Sequence, residues 1–212
     1  MSYDELTVSP RPSLRLVHSS PEQLQFDFDT PRSLRRLLRR DMGQWELDRD
    51  RLLPIIEAPA QHRAPAVRLA RALGDSLGPY ETLRLVVGCG FILNHEPHTV
   101  RFPLAALMPG DGDMRDGLIT SAPLIAIEPM AWRDLRIDLG RRIEQYLESG
   151  TQVVWVVDGA QDAVHVFRAG RRGRALPRHA ILQARQIIPD FWCPLSRIFI
   201  RRYDRAPDDA CA

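Results

Sequence analysis

Few side chains in this chain stand where their type and neighbours suggest chemistry. Glu128 closes the apolar run Leu124-Ile125-Ala126-Ile127. A carboxylate is costly against a packed interior, so it is expected to face a cleft or a metal ion, unless it simply ends a strand in solvent. Glu46 lies in a shorter apolar context, between Trp45 and Leu47, and the same two readings apply. His62 leads a helical pattern, where it packs, caps or joins a site. His95 and His98 flank Glu96-Pro97, a spacing that suits a metal and suits two exposed turn histidines equally well. Asp111, Asp113 and Asp116 fall in a Gly- and Asp-rich loop that lacks the spacing and terminal Glu of a calcium loop, so it reads as an ordinary loop.

Other chemistries are excluded more firmly. There is no Gly-rich phosphate loop, no Gly-x-Ser-x-Gly and no Cys–His pairing at a useful spacing. Cys89, Cys193 and Cys211 are few, odd in number and far apart, which supports neither a disulfide framework nor a zinc site. All 29 basic residues are arginine and none is lysine. Arginine favours bidentate phosphate contacts, although a bias toward Arg codons produces the same composition without any function. A mechanism that needs a lysine amine has to find a substitute.

The elements that must position these residues follow from periodicity. The 212 residues, 44% hydrophobic, suffice for one domain with a real core. No apolar run reaches the roughly 18–20 residues of a membrane span, and the N-terminus has no secretory pattern, so a reduced, cytoplasmic protein is expected. Residues 1–29 are broken by Pro10, Pro12 and Pro21 and read as an arm. A helix then starts at Thr30-Pro31, with Leu34, Leu37 and Leu38 on one side and Arg35, Arg36, Arg39 and Arg40 on the other. That basic face is either solvated or a phosphate contact.

Beyond it, Trp45 to Leu53 reads as a strand or hairpin, and a second helix is expected over about 64–77. Strands follow at Leu83–Val87, Phe91–Asn94, Val100–Met108 and Leu124–Glu128, with a turn at 95–98 and an exposed loop over 109–120. A third helix spans about 135–148. Gln152–Val157 is apolar on both faces, as in an interior strand, and Ala163–Arg168 alternates as an edge strand would. The result is an α/β fold, a mixed central sheet flanked by helices, over residues 30–200, with a frayed tail at 201–212.

Several segments in this order resemble a known family. Val100-Arg101-Phe102-Pro103-Leu104-Ala105 is similar to a strand reading Arg-x-Pro-Asp-Val-Ala, and Ala122–Pro129 resembles Pro-Asp-Leu-Val-Val-Glu-Val. Asp138–Leu147 resembles Asp-Leu-x-x-Lys-x-x-x-Tyr, and Ser149–Asp158 resembles Gly-Val-x-x-x-Trp-x-Val-Asp. Ile188-Pro189-Asp190-Phe191 resembles Leu-Pro-Gly-Phe, Trp45–Asp48 resembles Tyr-Glu-Leu-Ile, and His62 stands where a helix-leading His is expected. The family is the Uma-two group of restriction-endonuclease domains, within the PD-(D/E)XK nuclease superfamily. The resemblance spans about residues 30–200 and is strongest over 122–158.

The resemblance implies a restriction-endonuclease-like fold and Mg²⁺-dependent hydrolysis of phosphodiester bonds. Two acids hold the metal, which activates water, while a lysine stabilises the developing charge. On this chain the second acid falls on Glu128, the metal ligand, and an early Glu falls on Glu46. The first acid falls on Leu104, which cannot ligate metal, and the lysine falls on Arg142, which keeps the charge but does not exchange protons. The site is therefore expected to be degenerate and Mg²⁺ weakly held or lost, with a binding role retained. Two other readings stand beside it: an active DNA endonuclease with a relocated ligand such as Asp111 or Glu96, and a protein-interaction module recruiting a partner through the arm and Arg35–Arg40. DNA, a protein partner and a second copy of the chain are the candidate partners.

Residues 1–29 supply little that could join a core. Limited proteolysis of the full chain is expected to cut there first; initial cleavage within 122–158 would contradict the domain boundary.

Overall fold

The computed structural model describes residues 38, 45–55, 57–78, 80–115, 117–130 and 136–200. The expected arm over 1–29, the arginine face Arg35–Arg40 and the tail over 201–212 lie outside the described residues. Of the helix expected after Thr30, Leu38 is described, helical and buried.

The chain forms a hairpin of β1 (Trp45–Asp48) and β2 (Arg51–Pro54), helix α1 (Ala60–Asp75), and then β3 (Leu83–Val87), β4 (Gly90–His95), β5 (His98–Arg101) and β6 (Ala105–Pro109). The short strands β7 (Met114–Arg115) and β8 (Leu118–Ile119) precede β9 (Ile125–Pro129), helix α2 (Arg136–Glu148) and β10 (Val153–Asp158). Last come β11 (Ala163–Phe167), β12 (Arg174–Pro177), β13 (Ile181–Ala184) and β14 (Ile188–Pro194). These build two six-stranded sheets and a small hairpin, with orders β2-β1-β5-β4-β8-β7, β12-β11-β10-β9-β6-β3 and β13-β14. The sheet expected as one is thus divided in two.

The second sheet carries the main core. β9 and β10 run parallel, as a strand–helix–strand unit requires, with Trp155 of β10 beside Ile127 of β9. Every residue of β10 is buried, as its unbroken apolar run predicts. Alternation sends Ile125, Ile127, Val153, Trp155 and Val157 toward Ala66, Leu69 and Leu73 of α1. It sends Ala126, Val154 and Val156 the other way, toward Ile143 and Tyr146 of α2. Trp155 stacks on Phe191 of β14, centroids 5.6 Å apart, so the C-terminal hairpin closes the α1 side of the core.

Four boundaries differ from the sequence reading. Helix α1 begins at Ala60 rather than near 64 because Pro65 is accommodated inside it. The expected strand 100–108 is two strands in different sheets: Pro103 cannot donate to a ladder, and the chain crosses from the first sheet to the second over Phe102–Leu104. The loop over 109–120 includes a small hairpin whose Leu118 and Ile119 are buried. The strand read as an edge, β11, is interior, because β12 pairs along its outer side.

Gly159, in the turn after β10, has no room for a side chain: a Cβ there would overlap the carbonyl oxygen of Gln61, which Pro65 leaves without an intrahelical donor. Gly140 is exposed inside α2, with nothing within 4 Å of its Cβ position. Gly159→Ala is therefore expected to lower unfolding free energy by about 1–3 kcal/mol, and Gly140→Ala to raise it by about 0.5–1 kcal/mol. Urea melts of the two variants check both signs.

Candidate active site

The site forms where the chain changes sheets. Glu46 and Asp48 lie two apart on β1, hence on one side of the strand, and both are buried. Their strand is held in place at its turn. Arg49 and Asp50 both adopt positive φ, 52° and 64°, a conformation that a side chain disfavours. Asp50 donates its N–H to the His98 carbonyl at 2.9 Å, and its Oδ1 accepts from the His98 amide at 2.8 Å. Neighbouring β5 therefore fixes the hairpin that presents Glu46.

Arg101 ends β5 and is 0% exposed. Its Nη1 donates to Glu46 Oε2 at 3.0 Å, its Nε donates to Gln145 Oε1 at 2.9 Å, and its Nη2 lies 3.6 Å from Asp48 Oδ2. The next amide, Phe102 N–H, donates to Glu46 Oε1 at 2.9 Å. Glu46 is thus what receives the chain as it leaves the first sheet.

Helix α2 supplies the other side. Arg141 and Gln145, and likewise Arg142 and Tyr146, are four apart and stack on adjoining strips of one face. Arg142 makes a bidentate pair with Glu46, Nη1 to Oε1 at 2.9 Å and Nη2 to Oε2 at 2.8 Å. The same Nη1 lies 3.5 Å from Glu128 Oε1. Tyr146 donates its hydroxyl to Glu128 Oε1 at 2.9 Å. Asp48 accepts from Arg141 Nη1 and from Gln145 Nε2, each at 2.6 Å. Three carboxylates and three guanidiniums are gathered here: Glu46, Asp48 and Glu128 with Arg101, Arg141 and Arg142.

Charge states follow from these contacts. Burial pulls the Asp48 carboxyl upward, but the bonds from Arg141 and Gln145 and the positive charges of Arg101 and Arg141 outweigh it, and its pKa is lowered. Glu128 goes the other way. Burial raises it, Glu46 adds to the rise, and Arg142 and the Tyr146 bond only partly offset them. Burial and the Glu128 charge push the Tyr146 phenol well above its ordinary value, so it remains a donor.

Of the sequence candidates, Glu46, Glu128 and Arg142 converge. Leu104 immediately precedes β6, where Ala105 pairs with Ile127. One further antiparallel step sets Leu104 across from Glu128, while its side chain packs against the α1-side core. His62 lies within α1, not ahead of it, and its Nδ1 accepts from Gly159 N–H at 3.1 Å, tying α1 to the turn after β10. His98 pairs with Asp50, His95, Glu96, Asp111 and Asp113 are exposed, and Asp116 lies outside the described residues. Among the described residues, no three His, Cys, Asp or Glu side chains are placed to hold a metal ion together. Sequence reasoning did not single out Asp48, Arg101, Arg141, Gln145 or Tyr146. The signal was the two-residue spacing from Glu46 to Asp48 and the four-residue spacings on α2.

A family model described as "Uma2: Putative restriction endonuclease" matches residues 31–196. Among solved structures, the chain is similar to a crystal structure from Anabaena variabilis described as a "putative nuclease belonging to DUF820", with a TM-score of 0.64 and 15% identity. The likeness covers 74% of this chain and 90% of that one and is a likeness of fold. No curated protein matches the chain. Among the described residues no helix is long and apolar enough to cross a membrane.

A carboxyl whose folded pKa is raised stabilises the fold below its unfolded pKa, and that contribution is lost as pH rises through the folded value. Glu128→Gln keeps an acceptor for Tyr146 and removes the buried charge. It is expected to melt at a higher temperature than the natural protein at pH 7, with the gap closing below about pH 4, under the ordinary Glu range. A variant that melts lower at pH 7 would show that the Arg142 charge outweighs burial.

Proposed function

Because the chain belongs to the Uma2 family, we propose that it is a nuclease-fold protein whose acidic site has traded a metal ion for a built-in arginine cation and which keeps a nucleic-acid-binding role. The observation that carries this reading is the Arg142 guanidinium, bidentate on Glu46 and 3.5 Å from Glu128. It stands between Glu128, on which the family's second metal-holding acid falls, and Glu46.

The donors do not fit Mg²⁺. That ion needs hard oxygen ligands in near-octahedral geometry and usually one or two carboxylates directly bound. Both Glu46 oxygens are engaged, by Arg101, Arg142 and the Phe102 amide. Glu128 is buried, and its Oε1 already accepts from Tyr146 and lies 3.5 Å from Arg142. The backbone position opposite it carries leucine. Glu96 and Asp111, the candidates for a relocated ligand, are exposed on the β4–β5 turn and the loop after β6, and among the described residues no hydrogen bond or ion pair draws either toward Glu128. Arg142 also cannot replace a lysine in proton transfer. Loss of about 4 kcal/mol of transition-state stabilisation with the metal corresponds to roughly a thousandfold in rate.

The test combines Mn²⁺ titration calorimetry with cleavage of plasmid DNA in Mg²⁺. The natural protein is expected to give no saturable Mn²⁺ heat and no cleavage. The double variant Leu104→Asp/Arg142→Lys, confirmed folded by its melting curve, is expected to bind Mn²⁺, because the competing guanidinium is gone and a carboxylate stands at the backbone position across from Glu128. Metal-dependent cleavage by the natural protein, abolished in Glu128→Ala, would overturn the reading.

A further inference from the structure

From Ala163 to Pro189 the sequence contains no Asp or Glu but six arginines, at 168, 171, 172, 174, 178 and 185. The net charge of the whole chain is only +2. The structure gathers four of the six on one feature. β11 and β12 pair from Ala163↔Pro177 to Val166↔Arg174, and Arg168, Arg171, Arg172 and Arg174 sit on or beside the turn that joins them.

That turn has a defined shape. Arg171 N–H donates to the Arg168 carbonyl at 3.2 Å, Gly170 takes the positive φ of 66° that it needs, and a Cβ on Gly173 would lie 2.5 Å from the Phe167 ring. Arg171, Arg172 and Arg174 are exposed. No hydrogen bond or ion pair ties up their guanidiniums among the described residues. Arg168 is partly buried, and burial together with the Arg171 charge holds its pKa below the ordinary value. The Arg168 and Arg171 charges thus oppose one another at the turn.

A charged edge strand is a common device against strand-to-strand aggregation. That device accounts for Arg174, which lies on β12. It does not account for Arg171 and Arg172, which lie in the turn, or for the absence of any acid across the whole segment. Uncompensated like charges repel, and a polyanion relieves that repulsion.

We propose that the β11–β12 hairpin is a phosphate-backbone contact surface for double-stranded nucleic acid, separate from the Glu46–Glu128 site. Guanidinium forks match phosphate oxygens bidentately. β12 is the outermost strand of the second sheet, so a duplex backbone meets the exposed arginines of the turn without entering the fold. A membrane surface fits less well. The large exposed apolar side chains of the described residues, Val67, Val87, Met114, Ile181, Trp192 and Ile200, all lie outside the hairpin, which leaves nothing to insert among acyl chains. The surface is also distant in register from the acidic site. Glu128 aligns with Val156 and His165, where β9 and β10 end, whereas the turn leaves β11 after Phe167, which aligns with Val154 near their start.

The inference gives a location to the binding role proposed above, and its test is independent of cleavage. Anisotropy titrations of the full chain with a random-sequence duplex of about 20 base pairs, from 50 to 200 mM salt, compare Arg171→Gln/Arg172→Gln/Arg174→Gln with a charge-matched control, Arg63→Gln/Arg71→Gln/Arg84→Gln. All six positions are exposed, and melting curves confirm folding. The hairpin variant is expected to bind roughly tenfold or more weakly and to lose up to about 0.9 of salt slope per arginine removed, while the control stays near the natural protein. Equal loss in both variants, or no binding by the natural protein, overturns the inference. So does tighter binding to phosphatidylserine vesicles or poly-glutamate than to the duplex at equal ionic strength. DNA cleavage by the natural protein would sink the preceding proposal and leave this one standing.

Discussion

A carboxylate taken out of water costs several kcal/mol unless cations and hydrogen-bond donors meet it. The two sheets of this protein join around three such groups, Glu46, Asp48 and Glu128. No single element supplies both signs of charge. β1 brings two acids and β9 one, β5 brings Arg101, and α2 brings Arg141, Arg142, Gln145 and Tyr146. The elements therefore have to dock in one arrangement. A slip of one residue on β1 would turn Glu46 and Asp48 away from every partner.

This constraint says more about specificity than about net stability. A buried pair often does no better than an apolar pair of the same shape, whereas removing one partner leaves a bare charge at a penalty of about 3–5 kcal/mol. The apolar work is done elsewhere, by α1 and the C-terminal hairpin against the other side of the second sheet, with Trp155 and Phe191 at its centre. The two sides of that sheet thus have different tasks. One is a close-packed hydrocarbon layer, and the other is a charged seam with a fixed geometry.

The seam also accounts for the chemical character of the site. The family resemblance implies carboxylates balanced by a metal ion. Here the balancing charge is covalently part of α2, and Arg142 is 18% exposed at the mouth of the seam. A tethered cation is present at a fixed effective concentration and binds no water to activate. Exposed positive charge is carried instead by Arg171, Arg172 and Arg174 on and beside the β11–β12 turn. The arginine turn and the acidic seam thus lie at opposite ends of β10.

Much of this was readable from the residues in order. The unbroken apolar run at 152–157 marked an interior strand because both of its faces had to be covered, and Glu128 stood out because a charge ending such a run needs a partner. The pairing of Glu46, Glu128 and Arg142 followed from the family resemblance rather than from periodicity. What the sequence could not determine was long-range placement. Arg101 and Asp48 look like ordinary strand residues until β5 and β1 are seen side by side, and Tyr146 looks like one more apolar helix position. The division of residues 100–108 between two sheets, the covering of β11 by β12 and the register that sets Leu104 opposite Glu128 are likewise tertiary facts. Local sequence sets which face of a strand or helix is apolar, because that depends on spacing within one element. Which charge meets which depends on pairings between residues about 50 to 100 positions apart, as from Glu46 to Arg101 and Arg142, and only the folded chain decides them.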